Sequence, residues 1–340
     1  MTDQFLFEQL DVRVIAAPMA GGPSTPDLAA AVTNGGGLGF LAGGMLSAAA
    51  MAEDLIAARK LTSGALGVNI FVPQPVLATT EQVNAYAAVL SEEAERYGVR
   101  LGEPQHDDDE WAAKLDALCD LRPEVVSFTF GAPNRAACRR LRRAGVLTIA
   151  TVTTVAETNT ALAGGVDALV AQGPNAGGHR ATFDPLAPPS KESLDDLVAA
   201  LVARVSCPVI AAGGLATSGD VGRMLSAGAS AVQLGTAFLL ADEAGTAAVH
   251  RDALVDPQFT ETVITRAFTG RYARAVRNRF IEKYEEYATF GFPEVGRVCG
   301  PVLAAGARAQ DPHSTSLWAG TEFRKAKTGP AGDIVRALAQ

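Results

Sequence analysis

Residues 208–241 read PVIAAGGLATSGDVGRMLSAGASAVQLGTAFLLA. Two short apolar runs, 208–212 and 231–234, flank an amphipathic stretch at 218–227. Runs of this length bounded by Gly, Ser or Thr predict strands, and the stretch between them predicts a helix. Each run ends on glycine, Gly213-Gly214 after the first and Gly235 after the second. Strand, helix and strand in this order make a βαβ unit with parallel strands.

The same alternation runs back to the start of the chain. Strands are expected at 12–17, 38–42, 66–71, 124–130, 146–151 and 168–171. Helices are expected at 26–33, 47–61, 80–97, 108–121, 134–144, 155–163 and 194–205, and residues 236–241 open another. Eight strand candidates, each followed by helix, predict an α/β fold of the (β/α)8 TIM barrel type. Counting alone leaves a doubly wound open sheet as the alternative. Two stretches depart from the repeat. Residues 72–121 hold a helical insertion after the third strand. Residues 245–340 show little strand character and read as a C-terminal helical extension on the barrel or over its mouth. The expected organisation is a barrel at 1–244 and the extension at 245–340.

The 340 residues are 48% hydrophobic and 19% charged, enough for one large core and too apolar for disorder. Glycine is abundant, at 34 residues, and aromatics make up 6%, as tight turns and close backbone approaches require. The formal net charge is −8 and no basic stripe stands out, which argues against nucleic acid as a partner. Cys119, Cys138, Cys207 and Cys299 form no C-x-x-C pair, so reduced thiols fit better than a disulfide framework or a zinc site. Residues 1–10 lack a basic region followed by an apolar run, and apolar runs elsewhere break well short of a bilayer's width. A cytoplasmic protein without a membrane partner is expected, as a monomer or a homodimer.

In a barrel, chemistry sits at the C-terminal ends of the strands. Gly213, Gly214 and Gly235 allow main-chain N–H groups close to an anion, and Thr236 adds a hydroxyl at a helix start, where barrels commonly hold phosphate. Tight turns alone would also explain these glycines. After the sixth strand runs QGPNAGGHR, residues 172–180. Gln172 could hydrogen-bond a flat heterocycle, and Gly177 and Gly178 would bring backbone beside a ligand. His179 can serve as a base, or as a donor to a developing anion, with a pKa expected near neutrality. Of His106, His179, His250 and His313, only His179 lies in a predicted strand-end loop; bracing that loop is its alternative role.

Asn69, in the apolar third strand, needs partners, either a ligand's edge or neighbouring loop backbone. Ala17, Pro18 and Met19 could form a surface against a planar ring, or Met19 could simply fill core. Ser127, Thr129, Thr151 and Thr153 either contact a ligand or cap the following helices. Residues 37–42, GLGFLA, fit a dinucleotide pattern loosely. They follow a helix and themselves read as a strand, so that reading is rejected. No P-loop, H-E-x-x-H or G-x-S-x-G motif is present.

Taken together, these segments resemble the nitronate monooxygenase family. The matching pieces are APMAG at 17–21, GVNIF at 67–71, AGGHR at 176–180, AGGL at 212–215 and QLGTAF at 233–238. In the tail they are FTGR at 268–271, NRFI at 278–281 and LWAG at 317–320. The resemblance implies a TIM barrel with non-covalent FMN. It implies FMN contacts at Asn69, Gln172, Gly177, Gly214 and Gln233 through Thr236, and His179 as the catalytic histidine. With the residue-level reading, the expected cofactor site comprises Ala17, Pro18, Met19, Asn69, Gln172, Gly177, Gly178, Gly213, Gly214, Gln233, Leu234, Gly235 and Thr236.

The activity implied is oxidation of alkyl nitronates, of the propionate 3-nitronate type, with O2, giving a carbonyl compound plus nitrite or nitrate. The alternative is an FMN-dependent reductase fed by NAD(P)H and acting on an enoyl thioester or a quinone. The chain departs from the family pattern at Asn175, where many relatives carry Glu, and at Ala181, where many carry Gly. No aromatic pocket wall is clearly matched within residues 290–302.

Overall fold

The structure, a computed structural model, describes residues 6–339. The reading of residues 1–10 as free of a leader therefore falls half outside the described residues. Eleven strands are present among them: β1 (Val14–Ala16), β2 (Gly39–Ala42), β3 (Leu66–Phe71), β4 (Val125–Thr129), β5 (Leu147–Val152), β6 (Ala168–Gln172), β7 (Gly178–His179), β8 (Val209–Ala212), β9 (Ala231–Leu234), β10 (Thr262–Thr265) and β11 (Ala273–Val276). Eight of them form one parallel sheet in the order β1-β9-β8-β6-β5-β4-β3-β2. Its edges meet where Ile15 bridges Leu38; Ala16 donates to the Leu38 carbonyl at 3.0 Å, and Leu38 donates to that of Val14 at 3.0 Å. The sheet is closed, a (β/α)8 barrel, and closure leaves it no unpaired edge. The segment GLGFLA runs into β2, which its residues 39–42 form, and is not a strand-to-helix dinucleotide turn.

The barrel interior is filled rather than hollow. Ile15, Leu38, Phe40, Val125, Ile149, Val170 and Ile210 form one buried cluster, with Phe7 packed into it. Branched side chains of this kind fill the layers inside such barrels. Outward-facing residues such as Leu41, Val68 and Val126 pack under the covering helices. Those helices start on side chains suited to the task. Ser47, Thr154, Ser193 and Thr217 each take extended backbone and accept a main-chain N–H of the first turn. None of Ser127, Thr129, Thr151 and Thr153 is such a cap; Asn134 and Thr154 hold those positions.

The two helices after β3 behave differently. Trp111–Leu121 lays Leu115 and Leu118 on the barrel as an ordinary covering helix. Thr80–Arg96 packs instead with the tail helix Glu294–Arg308, and Tyr86 Oη donates to the Ala267 carbonyl at 2.6 Å. The tail carries helices at Ala248–Val255, Arg279–Tyr284, Glu294–Arg308 and Ala331–Leu338. It also holds the antiparallel hairpin β10–β11, which the sequence reading missed. β11 pairs in turn with β7, setting Ala273 opposite His179 and Arg274 opposite Gly178. The β-branched run of β10 carries a local strand signal, whereas Ala273–Val276 has little of its own and becomes a strand through its partners. No described helix is long and apolar enough to cross a membrane.

One contact gives a direct test of the packing. The helix Pro26–Asn34 runs so close to β2 that a Cβ on Gly39 would lie 1.9 Å from the Ala29 carbonyl oxygen. Gly39→Ala must push helix and strand apart. It should lower the unfolding free energy by about 2–3 kcal/mol, read as a lower urea midpoint at unchanged slope. An unmoved midpoint would show that this contact is looser than described.

Candidate active site

A cavity of about 940 Å³ opens at the C-terminal ends of the barrel strands. That is within the range of pockets that enclose a cofactor-sized ligand. His179 and the thirteen expected cofactor residues all line it. The tail supplies further lining at Phe268, Thr269, Phe292, Trp318 and Gly320. Sequence separation thus gives way to one shared space, but the fourteen residues do not contribute in the same manner.

At one end lie Gly213, Gly214, Gly235 and Thr236. Among the described residues, none of their main-chain N–H groups donates to another protein group. Such donors are costly to leave unmet, and their convergence on one cavity makes an anion cradle. The helix expected from residue 236 is a single 3-10 turn, Thr236–Phe238, so the N–H groups rather than a long helix dipole provide the attraction. Thr236 Oγ1 accepts the Gly320 N–H at 2.9 Å, tying the cradle to the tail. A Cβ on Gly178 would meet nothing within 4 Å, so open space lies beside that backbone. At Gly177 a Cβ would come 2.5 Å from Gly320 N; that glycine is needed for the tail's close approach.

The amides divide between ligand and scaffold. Asn69 is 3% exposed, and its Nδ2 donates to Ser127 Oγ at 2.8 Å and Thr129 Oγ1 at 3.0 Å. Its Oδ1 remains open for a partner. Gln172 donates to the His179 carbonyl at 3.1 Å and accepts from Ala181 N–H at 3.0 Å. Its two polar atoms therefore brace the strand that carries His179. The Gln233 side chain makes no hydrogen bond to another described residue and lines the cavity, free to meet a polar ring edge. Leu234 turns its side chain into the layer between strands and helices, so only its main chain serves the site. Ala17 and Met19 lie beside Gly235, where a Cβ would be 3.4 Å from Ala17 Cβ and 3.6 Å from Met19 Sδ.

His179 Nε2 lies 2.9 Å from Thr269 Oγ1, whose own proton can go to the Arg271 carbonyl at 3.4 Å. With that proton so placed, the hydroxyl accepts Nε2–H, and Nδ1 is left bare as an acceptor. Phe130, Phe292 and Trp318 surround the imidazole at centroid distances of 5.6, 5.4 and 5.5 Å. This aromatic wall includes Phe292, in the stretch where the sequence offered no clear match. Burial first, and the Arg271 guanidinium second, push the His179 pKa down to about 3. The expectation of a near-neutral pKa is therefore corrected: no carboxylate touches the ring to hold it charged, and the imidazole stays neutral at ordinary pH.

Two further guanidinium groups fix the loop behind it. Arg180 donates to the carbonyls of Gly173 and Gln172 at 2.6 and 3.1 Å, and Arg274 donates to that of Pro174 at 3.0 Å. Neither forms an ion pair with a carboxylate among the described residues. Thr269, Arg271, Phe292 and Trp318 were not singled out for roles by the sequence. Their signal was limited to two family-like tail segments, FTGR and LWAG, with no chemistry attached.

Comparison with known proteins agrees with this arrangement. The family model described as nitronate monooxygenase matches residues 4–340. A probable nitronate monooxygenase of Staphylococcus aureus is 35% identical over 334 residues, covering 96% of this chain and 93% of its own. The crystal structure of nitroalkane oxidase from Streptomyces ansochromogenes aligns with a TM-score of 0.94 at 44% identity, over 98% of this chain and 96% of that one. FabK from Thermotoga maritima aligns with a TM-score of 0.75 at 23% identity, over 99% and 95%, a likeness of fold.

The neutral histidines make folding sensitive to acid. Burial also pushes His250 down to about 4. As pH falls below about 6.5, the unfolded chain takes up protons at both positions that the folded chain refuses. Stability is therefore lost on acidification toward pH 4 and is fully present above pH 7. His179→Asn should flatten this dependence in urea unfolding measured from pH 7 to 4.5. A variant as acid-sensitive as the parent would show that His179 is not held neutral by the fold.

Proposed function

The chain belongs to the nitronate monooxygenase family, and from that premise we propose that it is an FMN-dependent enzyme oxidising alkyl nitronates with O2. The products proposed are a carbonyl compound plus nitrite or nitrate, with substrates of the propionate 3-nitronate type. One observation carries the reading. A neutral imidazole in an aromatic wall, backed by uncompensated guanidinium groups, shares one cavity with an unmet cluster of main-chain N–H donors.

The residues present fit FMN. The N–H groups of Gly213, Gly214, Gly235 and Thr236 would hold its phosphate. Asn69 Oδ1 and the Gln233 amide would meet the polar edge of its ring, with Ala17, Pro18 and Met19 against a ring face. When bound, FMN supplies an acceptor for single electrons, through which substrate electrons can reach O2. The protein's own task is orientation and exclusion of water. His179 would take the α-proton of a neutral nitroalkane at its bare Nδ1; donation to the nitro oxygens of a nitronate would require its one N–H, at Nε2, to turn from Thr269 to the substrate. Thr269 holds the ring tautomer, and Gln172, Arg180 and Arg274 hold the strand beneath it.

The rim weighs against the NAD(P)H-fed alternative. Asp107, Asp108, Asp109 and Glu110 all line the cavity. Asp107 pairs with Arg297 and Asp109 with Lys114, while Asp108 and Glu110 form no ion pair among the described residues. A dinucleotide would bring its pyrophosphate past these carboxylates.

His179→Asn should still take up FMN, visible as a flavin absorption spectrum after reconstitution. Its turnover of propionate 3-nitronate should fall by about 100-fold or more. Undiminished oxidation by the variant would remove His179 from the mechanism. Anaerobic mixing tests the wider reading: nitronate should bleach the bound flavin and NADH should not.

A further inference from the structure

Arg271 is 1% exposed and forms no ion pair among the described residues. One terminal nitrogen donates to Gln74 Oε1 at 2.7 Å, the other donates to the Thr182 carbonyl, and Nε has no acceptor. The guanidinium carbon stands over Phe130, 4.1 Å from the ring centroid. Phe130 has a φ of +74°, a costly value for an aromatic residue. The Gln74 amide nitrogen holds that turn, donating to the carbonyls of Phe130 at 3.0 Å and Val72 at 2.8 Å. Gln74 therefore joins the strained Phe130 to Arg271 through its two polar ends. Phe130 meets His179 edge to face, and Thr269 links the imidazole to the Arg271 carbonyl. Two routes thus run from Arg271 to the same histidine.

We propose that Arg271 is a positioning and specificity-determining residue, which aims His179 through Phe130 and Thr269 and makes the site select the nitronate anion over the neutral nitroalkane. The inference rests on the nitronate-oxidising reading and assigns its discrimination to one side chain. A buried guanidinium without an acid is costly. Arg271 does not itself line the cavity, but in a poorly screened site an anion entering beside Phe130 and His179 supplies part of the missing counter-charge across those rings. A neutral nitroalkane gains nothing comparable.

The surroundings leave that role open. The groups against His179 are uncharged: Phe130 after β4, and Thr269, Phe292 and Trp318 from the tail. The charges nearby are Arg271 itself, with Arg180 and Arg274 on β7's extension and β11. Glu157 and Asp184 act on Arg271 from a distance, but Arg271 still falls to about 9, through burial first. The Glu157 oxygens are taken by Thr153 and by Phe183 N–H, and Asp184 accepts Leu186 N–H.

The test compares Arg271→Gln, Arg271→Lys and Gln74→Leu with the parent. Steady-state kcat and KM are measured on propionate 3-nitronate and on neutral nitroethane, and the His179 imidazole is titrated by nitrogen NMR. Arg271→Gln should lower kcat/KM for the nitronate roughly tenfold or more relative to nitroethane, mostly through KM. It should also raise the His179 titration toward neutrality, whereas Arg271→Lys should keep the preference. Gln74→Leu, which keeps the charge, should lower kcat on both substrates alike. Equal losses on both substrates in Arg271→Gln, with an unmoved titration, would overturn the proposal.

Should Arg271→Gln not fold, the parent carries the charge test by competition. Propionate should inhibit at least tenfold more tightly than propionamide, and equal inhibition would overturn the proposal. The titration needs no turnover, so it separates this inference from the wider one. A parent that oxidises neither substrate sinks the nitronate reading, while an Arg271-dependent titration would still uphold the positioning.

Discussion

A two-residue strand holds the histidine on which the proposed chemistry of this protein depends. Gly178–His179 lies outside the barrel sheet and is held by antiparallel pairing to β11. A segment so short has no stability of its own, since each main-chain hydrogen bond contributes only about 1 kcal/mol net. Its order comes from what grips it. Gln172 holds the His179 carbonyl and the Ala181 N–H, and Arg180 and Arg274 clamp the carbonyls of Gln172, Gly173 and Pro174. β11 is in turn fixed by the rest of the tail, and the tail by the helix Thr80–Arg96, through Tyr86 and the ion pair of buried Glu93 with half-buried Arg279. The regions that break the barrel's repeat therefore complete the site.

Electrostatics follow the same logic. Two clamps on the histidine loop are guanidinium groups, yet neither has a carboxylate partner among the described residues. Positive charge accumulates behind an imidazole that is itself kept neutral. At the opposite end, two barrel loops that line the cavity carry N–H groups with no acceptor among the described residues. Both features favour anions, one at the cluster of N–H groups and one near His179. The carboxylates gather instead at the rim, where Asp107 and Asp109 are tied to Arg297 and Lys114.

The sequence by itself determined the eight strand–helix units, while closure of their sheet into a barrel rests on the meeting of Ile15 and Leu38. Alternating apolar runs and amphipathic stretches are local patterns, and β3 and β9 fall at their expected bounds. The glycines after β8 and β9 and the lone strand-end histidine were legible for the same reason, because barrel topology dictates where strand ends gather. Tertiary structure alone decided the rest. Gln172, expected only as a ligand contact, also braces the strand of His179; β11 looked like nothing and became the strand opposite His179. The imidazole's charge state depends on Phe130, Phe292, Trp318 and Arg271, which lie up to about 140 positions away along the chain. Periodicity reports what a segment buries, but burial and charge at one ring are sums over every neighbour in space, and no local pattern encodes that sum.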